Sequence, residues 1–396
     1  MRRKRIIIWV ALAMTMLLVL TGCSLNEQEI FNAALNMQNV HSGDVHTSMT
    51  LHLSGTGFAP DVQQQIDTTA ALLNNASLDL DVKSTTNDQK TVSKSQVLMN
   101  VMTPGMKIDV PIWVDSDLSG DTPKINEVIK LPLIAKSSLP QQFASKDYLV
   151  MNPLDASDSK IDPSSFKQLL EFSKTLQEKE VSFLKSYSTR FNPNFDTASS
   201  SSLYMQTDDG FKMVRRYEIR LDDQQFKDFI RYAVTNFAQD KEAMNFVKDI
   251  VDSTLQVSQA PDKEKSIKAF DQAFDQFNAS KENLLTTFNT AMDQLKNVTI
   301  LGDKGLDLNY YLYNGYIIRE TGTINVKVDL KQWNQFLKTL NEQQGSSDEP
   351  QGTLDMILKY DTTISGINTP QEIQTPEVNS TNSFTMKDLL DKTKEK

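Results

Sequence analysis

The side chains able to do chemistry are few and scattered in this chain. It has one cysteine and three histidines in 396 residues. His46 and His52 share a parity in a stretch that reads as a strand, with His41 just before it. Six residues along a strand span about 20 Å. That is too far to share one metal ion, so both read as solvated outer-face residues. No His-Glu-x-x-His, cysteine pair or acidic calcium-loop spacing occurs. For nucleophilic catalysis, Gly-x-Ser-x-Gly is absent. Ser-x-x-Lys occurs at Ser157–Lys160 and Ser182–Lys185, without the companion Lys-Thr-Gly and Ser-Asp-Asn signatures that would give it meaning. Glycines are scattered rather than gathered into a phosphate cradle, and Gly302-Asp303-Lys304-Gly305 reads as a turn. Nothing singles out a carboxylate pair for sugar hydrolysis. Arg215-Arg216 reads as an outward ion-pairing site among acids, with a lipid phosphate as the sharper alternative.

That leaves Cys23, which closes the stretch "MRRKRIIIWVALAMTMLLVLTGC". Arg2, Arg3, Lys4 and Arg5 make a basic head. Ile6 to Leu20 are apolar except Thr15. A membrane span needs about 20 apolar residues, so this shorter run suits a secretory signal. Leu20-Thr21-Gly22-Cys23 has the form of a bacterial lipobox, in which the thiol receives a diacylglyceryl group and the chain is cut just before it. Each buried CH₂ contributes about 0.8 kcal/mol, and two acyl chains hold where one binds only reversibly. Cys23 is therefore expected to be a membrane anchor on the extracytoplasmic side. No second cysteine exists to form a disulfide within the chain.

Residues 1–22 then drop out of the fold as a signal peptide, and 23–25 form a lipidated tether. The signal carries four of the 41 basic residues and no acids, which leaves 37 basic against 51 acidic side chains and a formal charge of −14. That balance argues against nucleic acid and against a broad basic surface held on anionic lipid.

Hydrophobic periodicity lays out the remainder. Residues 26–40 place Ile30, Ala33, Ala34 and Met37 on one helical face, with Asn26 and Glu29 spaced as a capping box. Val45, Thr47, Met49, Leu51 and Leu53 alternate with polar residues as a half-buried strand. A short helix is expected at 60–75. Strands follow at 76–84, 92–103 and 106–114, with a turn at Thr103-Pro104-Gly105, and near 125–135 and 146–152. A helix covers 163–188. Asp209-Gly210 predicts a hairpin, with Phe211, Met213, Tyr217, Ile219 and Leu221 facing inward and a slip at 214–216. Asp222 caps a long helical region, and 263–297 makes a second helix, together an αα-hairpin inserted between strands. Strands are expected at 298–301, 306–319, 322–330 and 353–364, with a short helix at 331–342. A Pro-rich extended tail and a weak helix at 385–394 end the chain.

Three stretches, "EIFNAALNMQNVHSGDVHTSMTLHL" (29–53), "RRYEIRLDDQQFKDFI" (215–230) and "GTLDMILKYDTTISGINTPQEIQTPE" (352–377), follow the lipobox in an order that resembles Gram-positive surface lipoproteins with a LolA/LppX-like half-barrel. The resemblance implies an α+β fold: a strongly curved antiparallel sheet over residues 26–380, helices on its concave side, and 381–396 as a tail. In some relatives the cavity holds acyl chains. Here the helical insertion 223–297 would plug or enlarge it. No catalytic signature comes with the resemblance.

The expectation is a non-catalytic, membrane-anchored cell-envelope lipoprotein. Its only cofactor-like group would be the diacylglyceryl lipid on Cys23, with no metal and no nucleic-acid partner. It would shelter a hydrophobic, lipid-like ligand. The alternative is a structural or interaction lipoprotein with a filled core and an envelope protein as partner. A transporter-associated solute-binding lipoprotein fits less well, because strands and helices are segregated rather than alternating. Phe226, Ile230, Phe237, Phe270, Phe274, Phe277 and Phe288 are the residues that would line the pocket or fill the core. A Phe stripe at helical spacing reads first as core.

Overall fold

The computed structural model describes residues 25–120, 123–152, 163–193, 197–208, 210–257, 262–341 and 351–394. The signal segment, Cys23, Ser157–Lys160 and Asp209 lie outside the described residues. Helix α1 (Leu25–Met37) leads into β1 (Ser42–Thr56), α2 (Pro60–Leu73), β2 (Ser77–Thr86), β3 (Val92–Thr103), β4 (Met106–Asp117) and β5 (Lys124–Lys130). Two four-residue helices, α3 (Leu133–Lys136) and α4 (Gln141–Ala144), precede β6 (Tyr148–Met151). Helix α5 (Pro163–Ser188) is followed by the hairpin β7 (Ala198–Thr207) and β8 (Gly210–Leu221). Three helices, α6 (Asp223–Gln239), α7 (Lys241–Val257) and α8 (Lys263–Leu295), separate these strands from β9 (Leu301–Tyr313) and β10 (Tyr316–Asp329). The chain ends with α9 (Leu330–Asn341), β11 (Thr353–Ser365), β12 (Ser383–Thr385) and α10 (Met386–Lys394).

The twelve strands form one open sheet in the order β12-β6-β5-β4-β3-β2-β1-β11-β10-β9-β8-β7. Every pairing is antiparallel except β12 with β6. The fold is α+β, with strands and helices largely segregated along the chain as the sequence pattern predicts.

Several local expectations give way to specific chemistry. The chain turns at Asn314-Gly315, both with positive φ (51° and 78°), so the run 306–319 is two strands of a hairpin. Asn-Gly is the dipeptide that a two-residue hairpin turn of this hand requires. The Gly302–Gly305 segment is not a turn. It lies within β9, where the register against β10 shifts between Ile324 and Val326. Gly305 has φ +58°, and a Cβ there would stand 2.4 Å from the Leu221 carbonyl oxygen. The buried Asn325 amide bridges this irregularity by accepting from Lys304 N at 3.0 Å and donating to Asp355. The β7–β8 register runs from Ala198↔Ile219 to Thr207↔Gly210 with no slip at 214–216.

Asn26 does not cap α1, since Leu25 is already helical; its amide donates to the Ala198 carbonyl at 3.0 Å. Asp222 does cap α6, in a reciprocal pair with Gln225 (2.8 and 3.0 Å). The expected αα-hairpin is three helices because Asp240 leaves the helical region (ψ 117°) and its carboxylate accepts from Ala243 N at 2.8 Å. The segment after residue 381 joins the sheet edge through β12, where Phe384 stacks on Phe143 at 4.5 Å.

The main core lies on one sheet face. Tyr217, Ile219, Leu221, Leu306, Leu308 and Leu312 meet Ile30 and Ala33 of α1, Phe229, Ala233 and Val234 of α6, and Tyr187 and Phe191. Helix α1 packs on β7, β9 and β10, α6 on β8 and β9, α2 on β1, and α9 on β10.

Candidate ligand-binding face

The strand registers put one continuous row of side chains across the sheet. It runs Tyr217–Tyr310–Glu320–Thr362–Thr47–Leu80–Met99–Val110 through β8, β9, β10, β11, β1, β2, β3 and β4. Side chains opposite one another in an antiparallel ladder share a face, so this row defines the apolar face. The rows beside it read Met49–Leu78–Val101–Ile108 and Val45–Val82–Val97–Ile112.

The two halves of that face differ in cover. Over β8 and β9, the helices press Tyr217, Ile219 and Leu221 down to 1% exposure. Over β1–β4, Met49, Leu51, Leu78, Leu80, Val82, Val97, Met99, Val101, Val110 and Ile112 are all only half-buried. Among the described residues no helix packs broadly on β2–β5. Helix α2 covers only the end of β1, where a Cβ on Gly55 would stand 2.7 Å from Ile66. There Asn74 closes the exposed strand edge by accepting from Leu53 N at 2.6 Å and donating to Leu53 O at 3.0 Å.

Glu320 sits at the boundary between the halves. It is half-buried and makes no hydrogen bond or ion pair with the described residues. Burial raises its carboxyl above the ordinary range. Its register partners are Tyr310 on one side and Thr362 on the other, and the Thr362 hydroxyl meets that of Thr47 at 2.9 Å. Burial also pushes the Tyr310 phenol up, reinforced by Glu320, and Tyr360 up to about 12 for the same two reasons. Tyr360 lies over Gly322, where a Cβ would stand 2.1 Å from the ring. A lone carboxyl between phenols, next to open apolar surface, can receive a hydrogen-bond donor from a bound amphiphile. Glu320 carried no motif. The signal available to sequence reading was a glutamate at an inward position of a strand, which needs the Asn314-Gly315 turn to fix the parity.

The opposite face is polar and carries cross-strand ion pairs. These include Arg220–Asp307 at 2.9 Å and Arg319–Asp361 at 2.6 Å, and the His46 Nδ1 meets the Asp81 carboxylate at 2.6 Å. Arg216 and Glu218 stand 4.0 Å apart there, while Arg215 lies 5.4 Å from the Tyr217 ring on the apolar side. A cleft of about 360 Å³ on the polar face is lined by Ser48, Thr50, Asp307, Asn309, Lys359 and Asp361. A larger one of about 660 Å³ lies by the β9–β10 turn, between Lys212, Tyr313, Arg319 and Asn368. Charged side chains border both, Asp307, Lys359 and Asp361 the first and Lys212 and Arg319 the second. Among the described residues no cluster of His, Cys, Asp and Glu is arranged to hold a metal ion.

The seven expected pocket or core residues separate. Phe226, Ile230, Phe237 and Phe288 pack against the main core. Phe270 and Phe274 contact each other on α8 at 5.9 Å, with the Lys248 ammonium 5.9 Å from each ring. Phe277 is half-buried further along α8. The base of α6 is fixed by Lys227, which is 2% exposed and bonded to Asp223 at 2.5 Å. Asp223 also accepts from Ile300 N and Leu301 N at 2.8 Å each. Burial alone would raise the Asp223 carboxyl, but these three donors outweigh it and hold it below its ordinary value.

No family model matches the chain, and neither a curated protein nor a solved structure matches it.

Proposed function

We propose that this chain is a cell-envelope lipoprotein, anchored through a diacylglyceryl group on Cys23, that shelters a hydrophobic, lipid-like ligand and performs no catalysis. In this reading the sheet bends as in the LolA/LppX-like half-barrels, and the ligand lies on the apolar face of β1–β5. The carrying observation is the uncovered apolar face, whose in-register side chains are half-buried beside a sealed half of the same sheet. Covering roughly 300 Å² of it would contribute about 7 kcal/mol. Immobilising the ligand offsets several kcal/mol of that, so micromolar or weaker binding is expected.

The test is native mass spectrometry of the Cys23→Ser chain lacking residues 1–22, purified under mild conditions, together with titration of a fluorescent fatty-acyl probe. Bound lipid mass or saturable probe binding is expected, with at least tenfold weaker binding for Leu80→Asp. Bare protein that also ignores the probe overturns the reading. A structural or interaction role is favoured by a different observation: Tyr204, Phe211 and Met213 are exposed at 72%, 77% and 59% on the β7–β8 hairpin, at the free edge of the sheet. Loss of an envelope partner in Phe211→Asp, with probe binding intact, would support that role.

A further inference from the structure

The antiparallel register fixes which connections share an end of the sheet. One end holds the finish of β1, β3 and β5 and the start of β2, β4 and β6. Through β11, β10, β9 and β8 the same end also holds the start of β7 at Ala198. Asn26 touches Ala198 there, at 3.0 Å. Helix α1 then climbs away, and Asn36 bonds Gly315 at the opposite end, at 2.9 Å. Cys23 precedes Asn26 by three residues, a reach of at most about 11 Å. The chain outside the structure therefore leaves from the end that carries Ala198.

That same end bears large exposed apolar side chains along the rim of the open half. They are Val62 just after β1, Met102 and Met106 at the β3–β4 turn, and Leu133 and Ile134 just after β5, the last two exposed at 84% and 54%. Three neighbouring connections of an acidic chain thus carry exposed apolar side chains at that end. Of the nearby cations, Lys107 stands 3.2 Å from Asp109 and Lys136 2.5 Å from Asp147, while Lys146 donates to the Ser380 and Thr381 carbonyls.

We propose that this rim seats in the surface of the lipid bilayer, orienting the domain so that the open apolar face ends against acyl chains. The inference rests on the Cys23 anchor of the proposed function. The lipid on Cys23 supplies the affinity. The rim supplies the orientation, and because its contact is apolar it is insensitive to salt.

The test uses the lipidated full chain in phosphatidylcholine vesicles, with an environment-sensitive dye on Met106→Cys, Ile134→Cys or the far-end control Phe211→Cys. Acylated Cys23 offers no competing thiol. Nitroxide-bearing lipids are expected to quench the dye at 106 and 134 several-fold more than at 211, and raising salt to about 0.5 M should leave this unchanged. Adding Leu133→Asp and Ile134→Asp should reduce quenching at 106. A lipidated, vesicle-bound protein quenched equally at both ends overturns this inference and leaves the anchor standing. So does quenching at 106 that the two aspartates do not change. A free thiol on Cys23 and a protein that stays in solution overturn the anchor, and this inference with it.

Discussion

Strands β8–β9 and strands β2–β4 are written in the same alternating code and meet opposite fates. Tyr217, Ile219 and Leu308 face a helical layer and are sealed. Leu80, Met99 and Val110, in the same row of the same face, are left half-buried. Strand alternation specifies a face; whether that face is closed depends on which helices return to it. Helix α6 returns directly from β8, pinned by Asp222, Asp223 and Lys227. The connections from β2 to β3 and from β3 to β4 are short turns that bring no helix back. Closure thus follows connection length here, and the open apolar face is the surface on which the proposed function would act.

The sharpest way to break this contrast is to truncate one side chain in each half. Phe229→Ala, in the sealed half, should destabilise by about 3–5 kcal/mol through lost burial and a residual cavity. Met99→Ala, in the open half, should cost roughly 1 kcal/mol, as at a site without full packing. Urea unfolding midpoints of the two variants measure the difference. Equal losses would mean that β2–β4 are as tightly packed as β8–β9, and the contrast would collapse.

A smaller effect sharpens the reason for closure. Asp223→Asn leaves the Lys227 ammonium buried without its carboxylate and should cost about 2 kcal/mol at pH 7. Because the Asp223 carboxyl is held below its ordinary value, its contribution is present above the unfolded value of about 4 and is lost as pH falls through the lower folded value. Stability of the wild type and the variant should therefore converge in acid. Urea titrations at pH 7 and below pH 3 test this, and a gap that persists in acid would assign the effect to packing.

How much of this was legible in the sequence follows the same line. The alternating strands from Val45 to Val114 and the helix 163–188 could be read because a local period suffices for them. The Asp222 cap and the Pro104-Gly105 turn were legible because each is a few residues long; Gly105 takes φ +80° as the turn demands. The Asn314-Gly315 turn was readable in principle, but the apolar run Tyr310–Ile318 on both sides of it masked the break. The Gly305 irregularity was beyond local reading, because its cause is the distant Leu221 carbonyl. The split at Asp240 was equally remote, since Arg190, two residues past α5, holds that carboxylate at 2.8 Å. For the candidate site, the Phe residues on the helices were visible as a stripe. The open sheet face was not, because it is defined by which helix fails to arrive.

Glu320 gives the smallest expected effect and the most direct probe of the boundary between the halves. Burial raises its folded carboxyl above the unfolded value, so the folded state binds the proton more tightly. Stability should therefore fall as pH rises from about 4 through the folded value, and ionised Glu320 should destabilise at pH 7. Glu320→Gln keeps the shape and removes the charge. It should raise stability at pH 7 by roughly 1 kcal/mol, the scale of an unpaired buried polar group, and change nothing below pH 4. If an amphiphile places a hydrogen-bond donor against this carboxyl, the same variant should weaken its binding while stabilising the empty protein. Thermal unfolding at pH 4 and pH 7, with and without the acyl probe, separates the two. Opposite signs for stability and binding would place the ligand's polar end at Glu320. Unchanged binding would place it elsewhere on the open face, toward the β1–β5 rim.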